Sequence, residues 1–241
     1  MTAIVAIVAV LAVIVGAALL QVFGGGDDPA PDNPAETAAA EPADTPTPAP
    51  GECDQPPAPP SSPPTFSEVP DKKLAGGTTW QATLATNCGD IVLELYGDKA
   101  PQTVSSFLFL AKEGYWKDSP CHRLVPQGIY VLQCGDPTGT GTGGPGYGYG
   151  IENAPERGVY PRGTLAMART ADPNSNGGQF FIVFRKTQLP VEGGGYSIFG
   201  RVVEGIEIVD RIVQAGVADN APDGPPAQPI SILDVTTTKS P

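Results

Sequence analysis

The stretch CHRLVPQGIYVLQCGD, Cys121 to Asp136, gathers the chain's one histidine, an arginine beside it and two of its four cysteines. Four chemistries could use that set: a metal site, a Cys/His nucleophile, a disulfide, or electrostatic work by the arginine. Zinc is not expected, because the cysteines at 53, 88, 121 and 134 form no C-x-x-C pair and His122 directly adjoins Cys121. A Cys/His couple fails as well, since neighbours along a strand point to opposite faces. The disulfide reading remains. HRLV and YVLQC read as consecutive antiparallel strands, which sets Cys121 opposite Cys134 if the turn lies around Gln127 and Gly128. Cys53 would then pair with Cys88. A second stretch, DPNSNGGQFFIVF, carries a Gly-rich turn followed by a strand on which Gln179 and Phe181 share one face while Phe180 and Ile182 share the other.

The rest of the chain sets the stage for these residues. Thr2 to Phe23 contains no charged side chain, and at 1.5 Å per residue such a helix spans a hydrocarbon core of ~30 Å. Residues 1–23 therefore read as a transmembrane anchor, the alternative being a cleaved secretory signal. Both export the rest of the chain, so the extracytoplasmic side is expected for the C-terminal part. Residues 24–73 are rich in Pro, Ala and acid and read as a disordered linker. Ten of the 26 acidic residues and none of the 14 basic ones precede Lys72, so the formal charge of −12 belongs mostly to this region. No basic stripe points to nucleic acid.

From residue 74 to 241 the pattern is that of one mainly β domain. TTWQATLA and DIVLELY flank the turn residues Thr86 to Gly89 as a hairpin. HRLV, YVLQCG, TLAMAR, QFFIVF, SIFGRVV and ISILDVTTT supply six more strands. APQTVSSFLFLAKEG places Val104, Phe107, Leu108 and Ala111 at helical spacing behind Pro101. GIEIVDRIVQAG does the same with Ile206, Val209, Ile212 and Val213 before Gly216. Eight strands and two helices suit a closed antiparallel barrel capped by the helices.

CHRLVP…YVLQCGD, followed in order by GTGTGGPGYGY, GTLAMAR, NSNGGQFFIVF and FGRVVEGIEIVDRI, resembles the cyclophilin family of peptidyl-prolyl cis-trans isomerases over roughly Thr79 to Thr237. Overall the chain looks like the membrane-anchored bacterial branch. The resemblance implies an eight-stranded barrel with two helices and a monomeric isomerase without cofactor or metal, acting on Pro-containing exported or cell-envelope polypeptides. It implies that Arg123 is the catalytic arginine and Gln133 the glutamine that places it. It implies that Gln179 and Phe181 form the groove strand, that Tyr130 and Val131 line the proline pocket, and that Ala168 and Arg169 border it. His122 precedes the arginine as in the family and is counted with the substrate-binding residues, as structural support for the arginine rather than as a proton carrier. Leu189 stands where many members have tryptophan, and Tyr196 where histidine is frequent, which implies weaker binding of cyclosporin-type inhibitors. The segment between Arg123 and Gln133 is two residues longer than in familiar eukaryotic members. A non-catalytic module that binds or chaperones Pro-containing peptides on the same fold is the alternative.

Overall fold

The computed structural model describes residues 52–240; the expected anchor at 1–23 and most of the linker lie outside them. Alternating apolar residues in Thr79–Thr86 (β1) and Gly89–Tyr96 (β2) send Ala82, Leu84, Ile91, Leu93 and Leu95 inward, and the strands meet across the two-residue turn Asn87-Cys88. The chain continues through Pro101–Lys112 (α1), Ser119–Pro120 (β3), Arg123–Val125 (β4), Val131–Cys134 (β5) and Val159–Tyr160 (β6). Thr164–Met167 (β7), Phe180–Val183 (β8), Thr187–Gln188 (β9), Ile198–Glu204 (β10), Ile206–Ala215 (α2) and Ser231–Lys239 (β11) complete it. The two expected helices are present. Pro101 opens α1, where a missing N–H costs nothing. Gly216 ends α2 at φ 84, a value that a side chain would strain. Among the described residues, no helix is long and apolar enough to cross a membrane.

The barrel is not closed, and it has nine strands rather than eight. Their order is β3-β11-β1-β2-β10-β7-β8-β5-β4, all neighbours antiparallel, with β6 and β9 forming a separate pair. The end strands β3 and β4 are separated by only Cys121 and His122 in sequence, so the sheet curls until its two edges are neighbours along the chain. No ladder joins them, because the backbone groups that could do so are engaged elsewhere. Pro120 has no N–H to give, the Cys121 N–H donates to the Ile230 carbonyl, and the outer edge of β4 is taken by Gly224, which exchanges hydrogen bonds with Leu124.

The two faces of the curled sheet build two cores. The larger holds Leu84, Leu93, Leu110, Trp116, Leu124, Leu132, Phe180 and Phe199 between sheet and helices. Val125, Val131, Ala166, Phe181, Val183 and Leu189 form the smaller, on the opposite face of β4, β5, β7 and β8. Period-two alternation accounts for the split: Leu132 and Phe180 go one way, Val131 and Phe181 the other. Trp116 ties the layers together, its indole N–H donating to the Gly178 carbonyl at 3.0 Å just before β8.

The linker is expected to be disordered through residue 73, yet residues 52–71 lie against the domain. Cys53 is bonded to Cys88, Asp54 exchanges hydrogen bonds with Asn87, Phe66 donates its N–H to Pro145, and the Phe66 ring meets Phe109 edge-on at 4.8 Å. The composition offers little apolar area, so a disulfide and backbone hydrogen bonds supply what burial does not.

Candidate active site

Arg123 starts β4 and stands directly opposite Gln133 on β5, which in turn stands opposite Phe181 on β8, itself opposite Ala166 on β7. One cross-strand row thus brings an arginine, a glutamine and an aromatic ring to the same face. The row continues by hydrogen bonds. Arg123 Nη1 donates to Gln133 Oε1 at 3.3 Å, and Gln133 Nε2 donates to Gln179 Oε1 at 2.9 Å. Gln179 Nε2 donates to the carbonyls of Gly141 and Gly143 at 3.0 and 2.8 Å.

The loop that carries those carbonyls is held by Asp136, which is fully buried at its base and accepts from the N–H groups of Thr138 and Gly143 and the Thr138 hydroxyl. Burial works to raise the pKa of Asp136, but donors from the Thr138 hydroxyl and the backbone N–H groups of Gly143, Thr138 and Gly141 outweigh it, so the group lies below its ordinary value and stays ionised. Gly143 is required here: a Cβ would run into the Asp136 carboxylate.

Around Arg123 lies a cavity of about 400 Å³ lined by Ile129, Val131, Phe181, Leu189, Pro190 and Tyr196, with Gln133, Ala168 and Arg169 on its rim. Phe181 and Leu189 are only 5% and 6% exposed, and the Tyr196 ring meets Phe181 edge-on at 5.8 Å. A second cavity of about 410 Å³ adjoins it past Gln133, Ala168 and Arg169; its walls are the backbone-rich Gly141–Pro145 loop, Thr170, Ser175 and Gln179. The Arg169 side chain is folded back, donating to the carbonyls of Gly195, Thr170 and Glu192 and lying 4.9 Å over the Tyr196 ring. The two cavities therefore share a border at Gln133, Ala168 and Arg169.

Two expected members are elsewhere. Tyr130 does not line the pocket; Ile129 does. Tyr130 has a left-handed backbone, φ 48, and its ring packs on Phe184 and under Arg185. Counting back from Gln133 in steps of two gives Val131 and Ile129, so strand alternation points to the residue that lines the wall. His122 is the second. As the immediate neighbour of Arg123 it faces away from the groove, into a cavity of about 230 Å³ shared with Pro56, Pro57, Pro225 and Pro226. Its ring nitrogens are buried without a protein partner among the described residues. Burial lowers its pKa, Asp136 opposes the shift and Arg123 reinforces it.

Both expected disulfides are present, Cys53–Cys88 and Cys121–Cys134. The register differs from expectation by one residue: with Arg123 opposite Gln133, Cys134 would face His122. The strand ends at Arg123, however, and Cys121 has already turned toward Ile230, so the bond runs diagonally.

Asp223 has no counterpart among the expected site residues. Its carboxylate takes Arg123 Nε and Nη2 at 2.7 and 2.5 Å, and this bond chiefly raises the arginine's pKa further. It lies in the proline-rich segment after α2, where no periodicity points inward.

Residues 81–237 match the family model described as cyclophilin type peptidyl-prolyl cis-trans isomerase/CLD. The chain is 40% identical over 166 residues to the probable peptidyl-prolyl cis-trans isomerase B of Mycobacterium tuberculosis (strain ATCC 25618 / H37Rv), covering 64% of this chain and 53% of that protein. It thus spans about half the length of that relative. A peptidyl-prolyl cis-trans isomerase of Helicobacter pylori is 39% identical over 155 residues, covering 64% of this chain and 91% of that protein. The crystal structure of a Cryptosporidium parvum cyclophilin type isomerase superposes with a TM-score of 0.58 at 32% identity, covering 68% of this chain and 99% of that one. The same protein was also solved in the presence of the dipeptide Ala-Pro. In sequence and in fold, this chain belongs to the cyclophilin-type peptidyl-prolyl cis-trans isomerases.

Proposed function

We propose that this protein accelerates rotation about X–Pro bonds, with Arg123 as the catalytic group and Gln133 as the residue that places it. The reading rests on one observation: a permanently charged guanidinium, held by side-chain hydrogen bonds, borders an apolar cavity of about 400 Å³. The amide resists rotation by ~18–20 kcal/mol because its nitrogen shares a lone pair with the carbonyl. Unaided, the exchange takes tens to hundreds of seconds. No bond breaks, so no acid, base or nucleophile has to act.

The proline ring enters between Ile129, Val131, Phe181 and Leu189, which fix it by burial while the preceding carbonyl turns. In the twisted state the nitrogen regains its lone pair and becomes an acceptor. Arg123 has five N–H donors in a rigid fork; Asp223 uses two and Gln133 one. One donor on each terminal nitrogen remains for the twisted amide. Such a bond is stronger in the transition state than in the planar ground state, which is the condition for lowering the barrier. Gln179, Ala168 and Arg169 border the path of the chain that precedes the proline, and Tyr196 closes the ring's far wall.

The setting we propose is the outer face of a membrane, with residues 1–23 as anchor and exported or cell-envelope polypeptides as clients, in the manner of a membrane-anchored bacterial branch. The charge-free run Thr2 to Phe23 supports it, as do two disulfides, which persist in oxidising compartments. The domain would work as a monomer, without cofactor, metal or nucleic acid. Exchange spectroscopy on a Pro-containing peptide tests the activity: catalytic amounts of the chain should speed cis-trans exchange. Binding without acceleration would make it a peptide-holding module.

A further inference from the structure

Arg123 and Asp223 lie 100 residues apart in sequence, and the backbone rather than their charges brings them together. Leu124 donates its N–H to the Gly224 carbonyl at 2.7 Å and accepts from the Gly224 N–H at 3.3 Å. Each is the chain neighbour of one member of the pair. The segment carrying Asp223 is closed on itself by Ala218 N–H to the Pro225 carbonyl at 2.8 Å and Ala227 N–H to the Gly216 carbonyl at 2.9 Å. Pro222, Pro225 and Pro226 stiffen it further. The carboxylate is therefore delivered to Arg123 by a fixed loop.

As a stabilising contact the pair counts for little, since the side chains are 38% and 42% exposed and solvent screens them. Its geometry has another use. Asp223 Oδ1 and Oδ2 meet Nε and Nη2, the long edge of the guanidinium, in a two-point fork. Gln133 fixes Nη1 from the other side. An arginine on a flexible stem loses much rotamer freedom when it has to point one way. Held at three nitrogens, this one has lost that freedom before substrate arrives. The edge occupied by Asp223 is not the pair of terminal donors left over for a twisted amide, so the carboxylate orients the group without taking its place.

We infer that Asp223 is a positioning residue for Arg123, setting the direction of the two free N–H donors; the inference rests on the reading of Arg123 as the catalytic group. Gln133 alone would leave the guanidinium free to swing about one hydrogen bond. A misplacement of about 1 Å at a reacting group costs up to ~10²-fold in rate, so a partial loss is expected from removing one of two supports.

The test is a double-mutant cycle on the 241-residue chain, with kcat and KM for a Pro-containing peptide measured separately. Asp223→Ala should lower kcat/KM about tenfold, mostly through kcat, because the proline pocket is untouched. Asp223→Asn, which keeps one acceptor oxygen, should fall in between. In an Arg123→Ala background, Asp223→Ala should change nothing further. The Arg123 Nε–Hε resonance should be sharp in the parent and exchange-broadened in Asp223→Ala. Unchanged or raised kcat/KM in Asp223→Ala, beside a crippled Arg123→Ala, overturns the positioning role and marks the carboxylate as idle or as a competitor of substrate. An additive loss in the double variant overturns it too, since Asp223 would then act elsewhere. Full activity in Arg123→Ala would instead bring down the catalytic reading, and the positioning role with it. Should Asp223→Ala fail to fold, the Asp223→Asn cycle and its resonance decide between the same outcomes.

Discussion

Arg123 and Gln133 face each other across the β4–β5 ladder, and a 3.3 Å hydrogen bond joins the guanidinium to the amide oxygen. From that pair the groove can be rebuilt in both directions: through Gln179 to the carbonyls of Gly141 and Gly143, and through Asp223 to the loop behind Leu124. The site is a continuous line of hydrogen bonds laid along one edge of an apolar pocket. Nothing in it has to gain or lose a proton for an amide to turn.

The pocket wall offers a direct comparison of neighbours. Ile129 lines the cavity and Tyr130 does not. Ile129→Ala should raise KM severalfold with kcat little changed, because the lost wall serves ground state and transition state alike. Tyr130→Ala should leave KM within about twofold, although removing its packing on Phe184 should lower the melting temperature. Steady-state kinetics on the two variants checks this; a larger KM effect from Tyr130→Ala would place the tyrosine in the pocket after all.

Removing the cysteine pairs separately should give different signatures. Cys121 and Cys134 flank Arg123 and Gln133 and close a loop of 13 residues, for which the chain-entropy model gives ~3 kcal/mol. The Cys121→Ala/Cys134→Ala variant should lose thermal stability and also raise KM, since Ile129 and Val131 sit within the loop. Cys53 and Cys88 close a loop of 35 residues that contains none of the residues lining the cavity around Arg123. Their removal should destabilise the fold by ~4 kcal/mol in the same model and so lower the melting temperature, with kinetics preserved. Calorimetry and kinetics on both variants would show whether the two effects separate.

His122 should govern acid stability rather than turnover. Its folded pKa is lowered by burial, against an ordinary value of about 6.5. A depressed folded pKa means that the unfolded chain binds the proton more readily, so stability is full above the ordinary value and falls as pH drops below it. Melting temperature measured from about pH 7 downward should decline from about 6.5, and His122→Gln should flatten that part of the curve. kcat/KM of the folded protein should stay level over the same range. A step in kcat/KM that vanishes in His122→Gln would make the ring a participant in the reaction.

How much of this was legible in the sequence depends on the kind of signal each residue carries. Strand alternation gave both faces of the QFFIVF segment, and apolar spacing gave both helices, because these residues obey a period that burial enforces. The same rule would have found Ile129; reading the pocket from family order instead pointed to Tyr130. Barrel closure failed as an expectation because it depends on which groups the edge strands can reach. Pro120 and the Leu124–Gly224 exchange decide that, and neither follows from a hydrophobic pattern. Asp223 gave no signal at all: it stands among prolines and glycines in a loop whose place is set by backbone pairing with β4.

Above all, Arg123 should favour the twisted amide through a rigid, permanently charged fork. The most direct measurement is kcat/KM for X–Pro isomerisation in Arg123→Ala, with a spectrum to show that the domain is folded. A loss of at least ~10²-fold is expected, about 2.7 kcal/mol at ~1.36 kcal/mol per decade. Arg123→Lys should not restore it, since a flexible point charge lacks the planar donors. Turnover near that of the parent in folded Arg123→Ala would contradict a catalytic role for the arginine.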